Sequence, residues 1–258
     1  MSDKKYKYVV VSGCSFSASD AENTPRPGET YGDLIAEHLG AKFYNLSISG
    51  TSLQHTSRVL LEWASKNKDK FKDTLVIVGK TGIRRTEIWN NKSNEWLNDC
   101  FYFQSPKGSH FIQGNKDLLI NDWTDEERKN YFINFFNPNA QILLATNIII
   151  GLQSFLTLNN IDHVFFDASE SIEECWELYC DDKEDKFGHK LLFDNLVSKE
   201  NWYKHPEYKS ILDFTKKNPE MRATKNDTRE RHPNGKAHKY WAKCLIEYIE
   251  KKDEREIK

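Results

Sequence analysis

Residues 6–20 read YKYVVVSGCSFSASD. Tyr8 to Val11 are strand formers, and three β-branched valines in a row suit a strand buried on both faces. They run directly into Ser12-Gly13-Cys14-Ser15-Phe16-Ser17, a cluster of small hydroxyl and thiol residues. A buried strand that ends in such a cluster turns sharply, and it can lift one nucleophilic side chain above the sheet edge. Ser15 and its neighbour Cys14 are the candidates for that side chain.

The segments after this strand alternate. TYGDLIAEHLG (30–40) reads as a short helix with Thr30 as N-cap and Gly40 as its stop. KFYNLSI (42–48) reads as a second strand. Gly50 and Ser52 interrupt the chain, and Leu53, Thr56, Val59, Leu60, Trp63 and Ala64 then recur on one helical face. TLVIVG (74–79) is a third buried strand. Alternation of this kind predicts parallel strands with helices on both faces. Residues 88–122 are aromatic and without a period, and they read as an insertion. Thr124-Asp125-Glu126-Glu127 carries a capping-box signature. A more apolar helix over 139–160 follows Pro138, and IDHVFFDA (161–168) is a fourth strand. Residues 170–225 are charged and irregular, with several short helical stretches, and form a second insertion. Ala237, Tyr240, Trp241, Cys244, Leu245 and Tyr248 mark a last amphipathic helix entered through Pro233-Asn234-Gly235.

The chain has 258 residues, of which 38% are hydrophobic and 29% charged, as expected of one globular α/β domain spanning 1–258. A net charge of -2 offers no electrostatic case for nucleic acid or an anionic membrane as partner. The N-terminal apolar run is too short for a signal peptide, and no segment reads as a membrane span of ~20 apolar residues. Cys14, Cys100, Cys175, Cys180 and Cys244 are odd in number and scattered, the pattern of reduced cytoplasmic thiols. Cys175 and Cys180 with His189 make two-thirds of a metal site at loose spacing, so neither a metal nor a cofactor is expected.

In an open parallel sheet, ligands sit at the carboxyl ends of the strands. Four clusters fall at such ends or just before the last helix: Gly13 to Phe16, Asn45 to Ser52, Gly79-Lys80-Thr81-Gly82 with Arg84 and Arg85, and DTRERHPNGKAHKYWA (227–242). Their order and spacing resemble the SGNH, or GDSL, hydrolase family, and GCSFS resembles divergent phage-type members. The resemblance implies a three-layer α/β/α sandwich around a mostly parallel, flavodoxin-like sheet. It implies Ser15 as nucleophile, Gly50 as the glycine after the second strand, and His232 as the base before the last helix.

The sequence departs from the family at three places: Cys14 stands where Asp is usual, Thr81 where an oxyanion-binding Asn is usual, and Arg229 where the acid of the triad is usual. Glu230 and Asp227 are the substitute acids. The implied function is hydrolysis of a small-molecule or carbohydrate ester. In it Ser15, Gly50 and Thr81 form the oxyanion hole, and Arg84 and Arg85 bind substrate. The alternatives are a catalytically silent module that binds a glycan or a protein, with the aromatics of 88–122 as a stacking surface, and a phosphate-handling enzyme built on Arg84 and Arg85. The last lacks a glycine-rich phosphate loop.

Overall fold

The structure is a computed structural model that describes residues 5–19, 25–83, 85–90, 95–100, 137–179, 184–186, 188–223 and 231–256. Asp227, Glu230, Arg84, Cys180 and the capping box at Thr124–Glu127 lie outside the described residues.

Five strands form one parallel sheet: β1 (Tyr8–Ser12), β2 (Lys42–Asn45), β3 (Thr74–Lys80), β6 (Asp162–Asp167) and β7 (Trp202–Tyr203), in the order β2-β1-β3-β6-β7. Helices cover both faces, giving the three-layer α/β/α sandwich. Val9, Val11, Leu75, Ile77, Val164 and Phe166 turn toward α1 (Tyr31–Leu39), α6 (Ile211–Lys217) and α7 (Gly235–Glu256). Val10, Val76, Val78 and Phe165 turn the other way, toward α2 (Leu53–Lys66), α3 (Pro138–Leu158), α4 (Ile172–Tyr179) and α5 (His189–Leu196). The period of two along each strand feeds two separate cores, which is why the strands read as unbroken apolar runs. The strand order reverses between β1 and β3, the point at which such sheets open a crevice.

The strand ends differ from the sequence reading in instructive ways. β2 stops at Asn45, because the Asn45 carboxamide oxygen accepts from Ser47 N at 3.0 Å and bends the chain. β3 continues one residue further, to Lys80. Residues 170–225 hold the expected short helices and also β7, the fifth strand of the sheet, which at two residues leaves no periodic trace. Within 88–122, residues 88–90 and 95–100 belong to a pair of antiparallel strands, β4 (Arg85–Asn90) and β5 (Glu95–Cys100). The stretch Asn139–Leu158 of α3 is long and apolar enough to cross a membrane by length and composition, contrary to the expectation from sequence. In the fold, its Ile142, Ala145, Ile149, Leu152 and Leu156 stripe is buried in the core.

Helices α1 and α7 pack against each other. Thr30 caps α1 in a capping box with Asp33, and Gly40 ends it in the left-handed region. The first N–H of α1, on Tyr31, donates to Nδ1 of the buried His238 at 3.0 Å, and the two rings stack at 5.7 Å. An imidazole that accepts at Nδ1 carries its proton on Nε2 and is neutral. Burial lowers the His238 pKa to about 3.

This fixes the sign of a pH effect. His238 binds a proton when unfolded, near 6.5, but stays neutral when folded. Its stabilising contribution is complete above pH 6.5 and is lost progressively as pH falls toward 3, at up to about 1.4 kcal/mol per pH unit. Urea unfolding of wild type and His238→Gln across this range checks it. The variant is expected to show the shallower loss, and parallel curves would rule His238 out as the responsible group.

Candidate active site

The chain after β1 folds back within one turn. Ser17 N and Ala18 N both donate to the Cys14 carbonyl, at 2.8 and 3.0 Å. Close approach forces a glycine at position 13: a Cβ there would lie 2.5 Å from Ser17 Oγ and 3.1 Å from the Gly79 carbonyl oxygen. Ser17 Oγ in turn accepts from the buried Tyr31 hydroxyl at 2.7 Å. Burial holds that phenol well above its ordinary pKa, so it remains a donor. Cys14 is fully buried among apolar side chains, whereas Ser15, one residue on, is presented at the sheet edge with 4% of its surface exposed.

Ser15 Oγ lies 2.8 Å from His232 Nε2, across 217 positions of sequence. The loop that carries His232 is tied at several points. Ala223 N donates to the His232 carbonyl at 2.9 Å, Asn234 N donates to the Met221 carbonyl at 2.9 Å, and Arg222 pairs with Pro233 in an antiparallel bridge. The Thr215 hydroxyl donates to the Arg231 carbonyl at 2.7 Å. Asn234 accepts from Lys236 N and Ala237 N, capping α7, while its amide donates to the Glu220 and Arg222 carbonyls. The His232 ring packs on Phe16 with centroids 5.2 Å apart. A serine hydroxyl within hydrogen-bond reach of an imidazole nitrogen is the arrangement that lets the ring accept the serine proton.

The second and third strand exits converge on the same turn. Asn45 Nδ2 donates to the Ser17 carbonyl at 3.0 Å. Gly50 has φ +81°, a conformation that favours glycine. Thr51 Oγ1 reaches the carbonyls of Ile48 at 2.8 Å and Gly13 at 3.3 Å. Thr81 is fully buried, and its hydroxyl donates to the Thr51 carbonyl at 3.3 Å. Arg85 Nη1 donates to both Thr51 O, at 3.2 Å, and Thr81 Oγ1, at 3.1 Å. Ser15, Gly50, Thr81, Arg85 and His232 therefore all belong to the carboxyl-end side of the sheet. Asn45 and Thr51 carry roles that sequence reasoning did not assign to them; an Asn at a strand exit two residues before a serine was the available signal.

Below the β3 exit lies a buried ion pair, also missed from the sequence. Lys80 Nζ is 3.2 Å from Asp167 Oδ1 and donates to the carbonyls of Glu170 at 2.6 Å and Thr81 at 3.3 Å. Burial opposes the Lys80 charge, but Asp167 and the other negative groups around it outweigh burial and hold its pKa above the ordinary lysine value. Burial likewise pushes Asp167 above the carboxylate range, although Lys80 pulls it back. Lys80 O also accepts from Ala168 N and Ser169 N, so the β3 and β6 exits move as one piece.

No protein-family model matches the chain, and no curated protein sequence matches it. Several solved structures are similar to it. The psychrotrophic esterase EstA of a Pseudoalteromonas species is 12% identical, with 95% of this chain and 97% of that one covered, at a TM-score of 0.45. TesA is 12% identical over 95% and 99%, at 0.48. A lipolytic G-D-S-L family protein of Veillonella parvula is 11% identical over 93% and 96%, at 0.44. At this identity the likeness concerns the path of the chain, and the chemistry rests on the residues described above.

Two substitutions test the local architecture. Gly13→Ala is expected to lower the unfolding free energy by about 1–3 kcal/mol, because the Gly79 carbonyl cannot retreat from a new methyl group. Adding Ser17→Ala should recover part of the loss, since it removes the nearer clash; simple additivity in urea melts would contradict the packing account. Lys80→Met should cost about 3–5 kcal/mol by leaving a buried carboxylate unpaired, and Asp167→Asn in the same chain should return part of it.

Proposed function

We propose that the protein is a serine hydrolase of esterase type, acting on an acyl ester of a small molecule or carbohydrate. The observation that carries this reading is the 2.8 Å contact between Ser15 Oγ and His232 Nε2 at the carboxyl end of β1.

In this reading His232 Nε2 takes the Ser15 proton as Oγ adds to the ester carbonyl. The carbonyl electrons collect on oxygen, and the oxyanion is met by the backbone N–H groups of Ser15 and Gly50. When the intermediate collapses, the carbon–oxygen bond to the alcohol breaks, and the imidazolium gives its proton to the departing oxygen. The acyl group is left on Ser15. Water then loses a proton to His232, adds to the acyl carbonyl, and the second collapse returns the proton to Ser15 and releases the acid. The acid that orients the ring is assigned from the sequence to Glu230 or Asp227. Burial of Cys14 beside Ser15 favours oxygen over sulfur as the attacking atom. The chemistry needs no cofactor.

A fluorophosphonate probe followed by peptide mapping tests the reading. The wild-type chain is expected to be labelled at Ser15. Ser15→Ala and His232→Ala should lose labelling and reduce turnover of a small acyl ester by about 10³-fold or more. Cys14→Ala should keep both. A folded wild-type chain that resists the probe would instead favour a silent module that binds a glycan or protein partner.

A further inference from the structure

Ser15 and His232 face a demand that their own contact cannot meet. Once an acyl group is on Ser15 Oγ, that oxygen has no proton to share with His232 Nε2, yet the ring must stay in place to activate water. Their separation has to be set by whatever holds the two backbone segments that carry them. Tyr31 reaches both.

Tyr31 is the first residue of α1, and three parts of it are engaged. Its hydroxyl, fully buried, donates to Ser17 Oγ at 2.7 Å. Ser17 N in turn donates to the Cys14 carbonyl at 2.8 Å, so Ser15 lies inside the turn that this bond closes. The Tyr31 backbone N–H, which a helix start leaves without an intrahelical partner, donates to His238 Nδ1 at 3.0 Å. The phenol ring stacks on the His238 imidazole at 5.7 Å and meets the Phe166 ring edge-on at 5.4 Å.

His238 carries the connection onward to the base. It is buried, and its own N–H donates to the Asn234 carbonyl at 3.0 Å, one turn back along α7. Asn234 lies two residues after His232, and its side-chain amide holds the His232 loop through the Glu220 and Arg222 carbonyls. Nε2 of His238 has no hydrogen-bond partner among the described residues, so the polar grip of this imidazole is the bond from Tyr31 N. One side chain and its amide thus join the turn of the nucleophile to the helix behind the loop of the base.

We infer that Tyr31 is a positioning residue for the hydrolysis: it holds the Ser15 turn and the His232 loop at one separation, through Ser17 on one side and His238 on the other. The inference rests on the hydrolase reading above. A clamp of this kind touches no substrate, so its loss falls on the rate of reaction at Ser15 and not on substrate binding.

The test uses the full chain, the fluorophosphonate probe and a small acyl ester. Tyr31→Phe deletes the hydroxyl and keeps the ring and the backbone N–H. It is expected to be labelled to the same final extent as wild type but about 10-fold or more slowly, and to lower kcat by about 10–10²-fold with KM little changed. Ser17→Ala should show the same pattern, and Ser17→Ala/Tyr31→Phe should be no slower than the slower single variant, because both remove one bond. His238→Asn, whose amide oxygen can accept near the Nδ1 position, should keep more of the labelling rate than His238→Phe, which offers no acceptor. An unchanged labelling rate in Tyr31→Phe would overturn the inference. So would a reduced final extent at an unchanged rate, which is the mark of a merely destabilised fold, a loss confined to KM, or multiplicative losses in the double variant. Those results, obtained with wild-type Ser15 labelled, leave the hydrolase reading standing. A wild-type chain that is not labelled removes both.

Discussion

The site depends on a single close approach. The β1 exit and the β3 exit run so near to each other that the Ser17 hydroxyl occupies the space where side chains at Gly13 and Gly79 would be. That hydroxyl is held by Tyr31 from α1, and the Ser17 carbonyl is held by Asn45 from β2. Three different elements thus fix one turn, and Ser15 sits in the middle of it. Protein interiors are packed densely enough that a displacement at any of these points is transmitted to the others.

The histidine side of the site obeys a different logic. His232 is not on a strand exit but on a loop whose position is set by backbone hydrogen bonds to 221–223 and by Asn234, which caps α7 and ties the loop down with the same side chain. Arg222 adds its guanidinium to the last carbonyls of α6, at Thr215 and Lys216. The loop is therefore anchored to the ends of two helices whose apolar faces lie on the same side of the sheet. Helix packing positions the loop that brings the imidazole to the serine.

Buried charge at the strand ends performs a structural task in two places among the described residues. Lys80 joins the β3 and β6 exits through Asp167 and two backbone carbonyls. Glu87 joins the β4–β5 hairpin to α2 through Arg58 and His55. Each costs desolvation, and each is repaid by several directed bonds at once, which is the condition under which such groups are retained in an interior. Their effect is to make the exits of β2, β3 and β6 one stiff frame around the Ser15 turn.

Much of this was legible in the sequence, for physical reasons. The continuous apolar strands, the Thr30 cap and the last amphipathic helix announce themselves because local propensity and burial agree there, and with them the α/β class. Ser15 and His232 stood out as candidates as well, since a hydroxyl cluster after a buried strand and a histidine before a final helix are local patterns, and the fold brings the two within hydrogen-bond distance. What no local pattern contains is distance. Strand β7 is too short to have a period, the Lys80–Asp167 pair spans two strands far apart in sequence, and the expected roles of Thr81 as an oxyanion donor and Arg85 as a substrate binder carry no sign that the two side chains bond to each other. Only the packed fold decides that Thr81 is sealed and Arg85 is moored upon it, because burial and hydrogen-bond partnership are properties of neighbours in space, and those neighbours come from segments far apart in sequence.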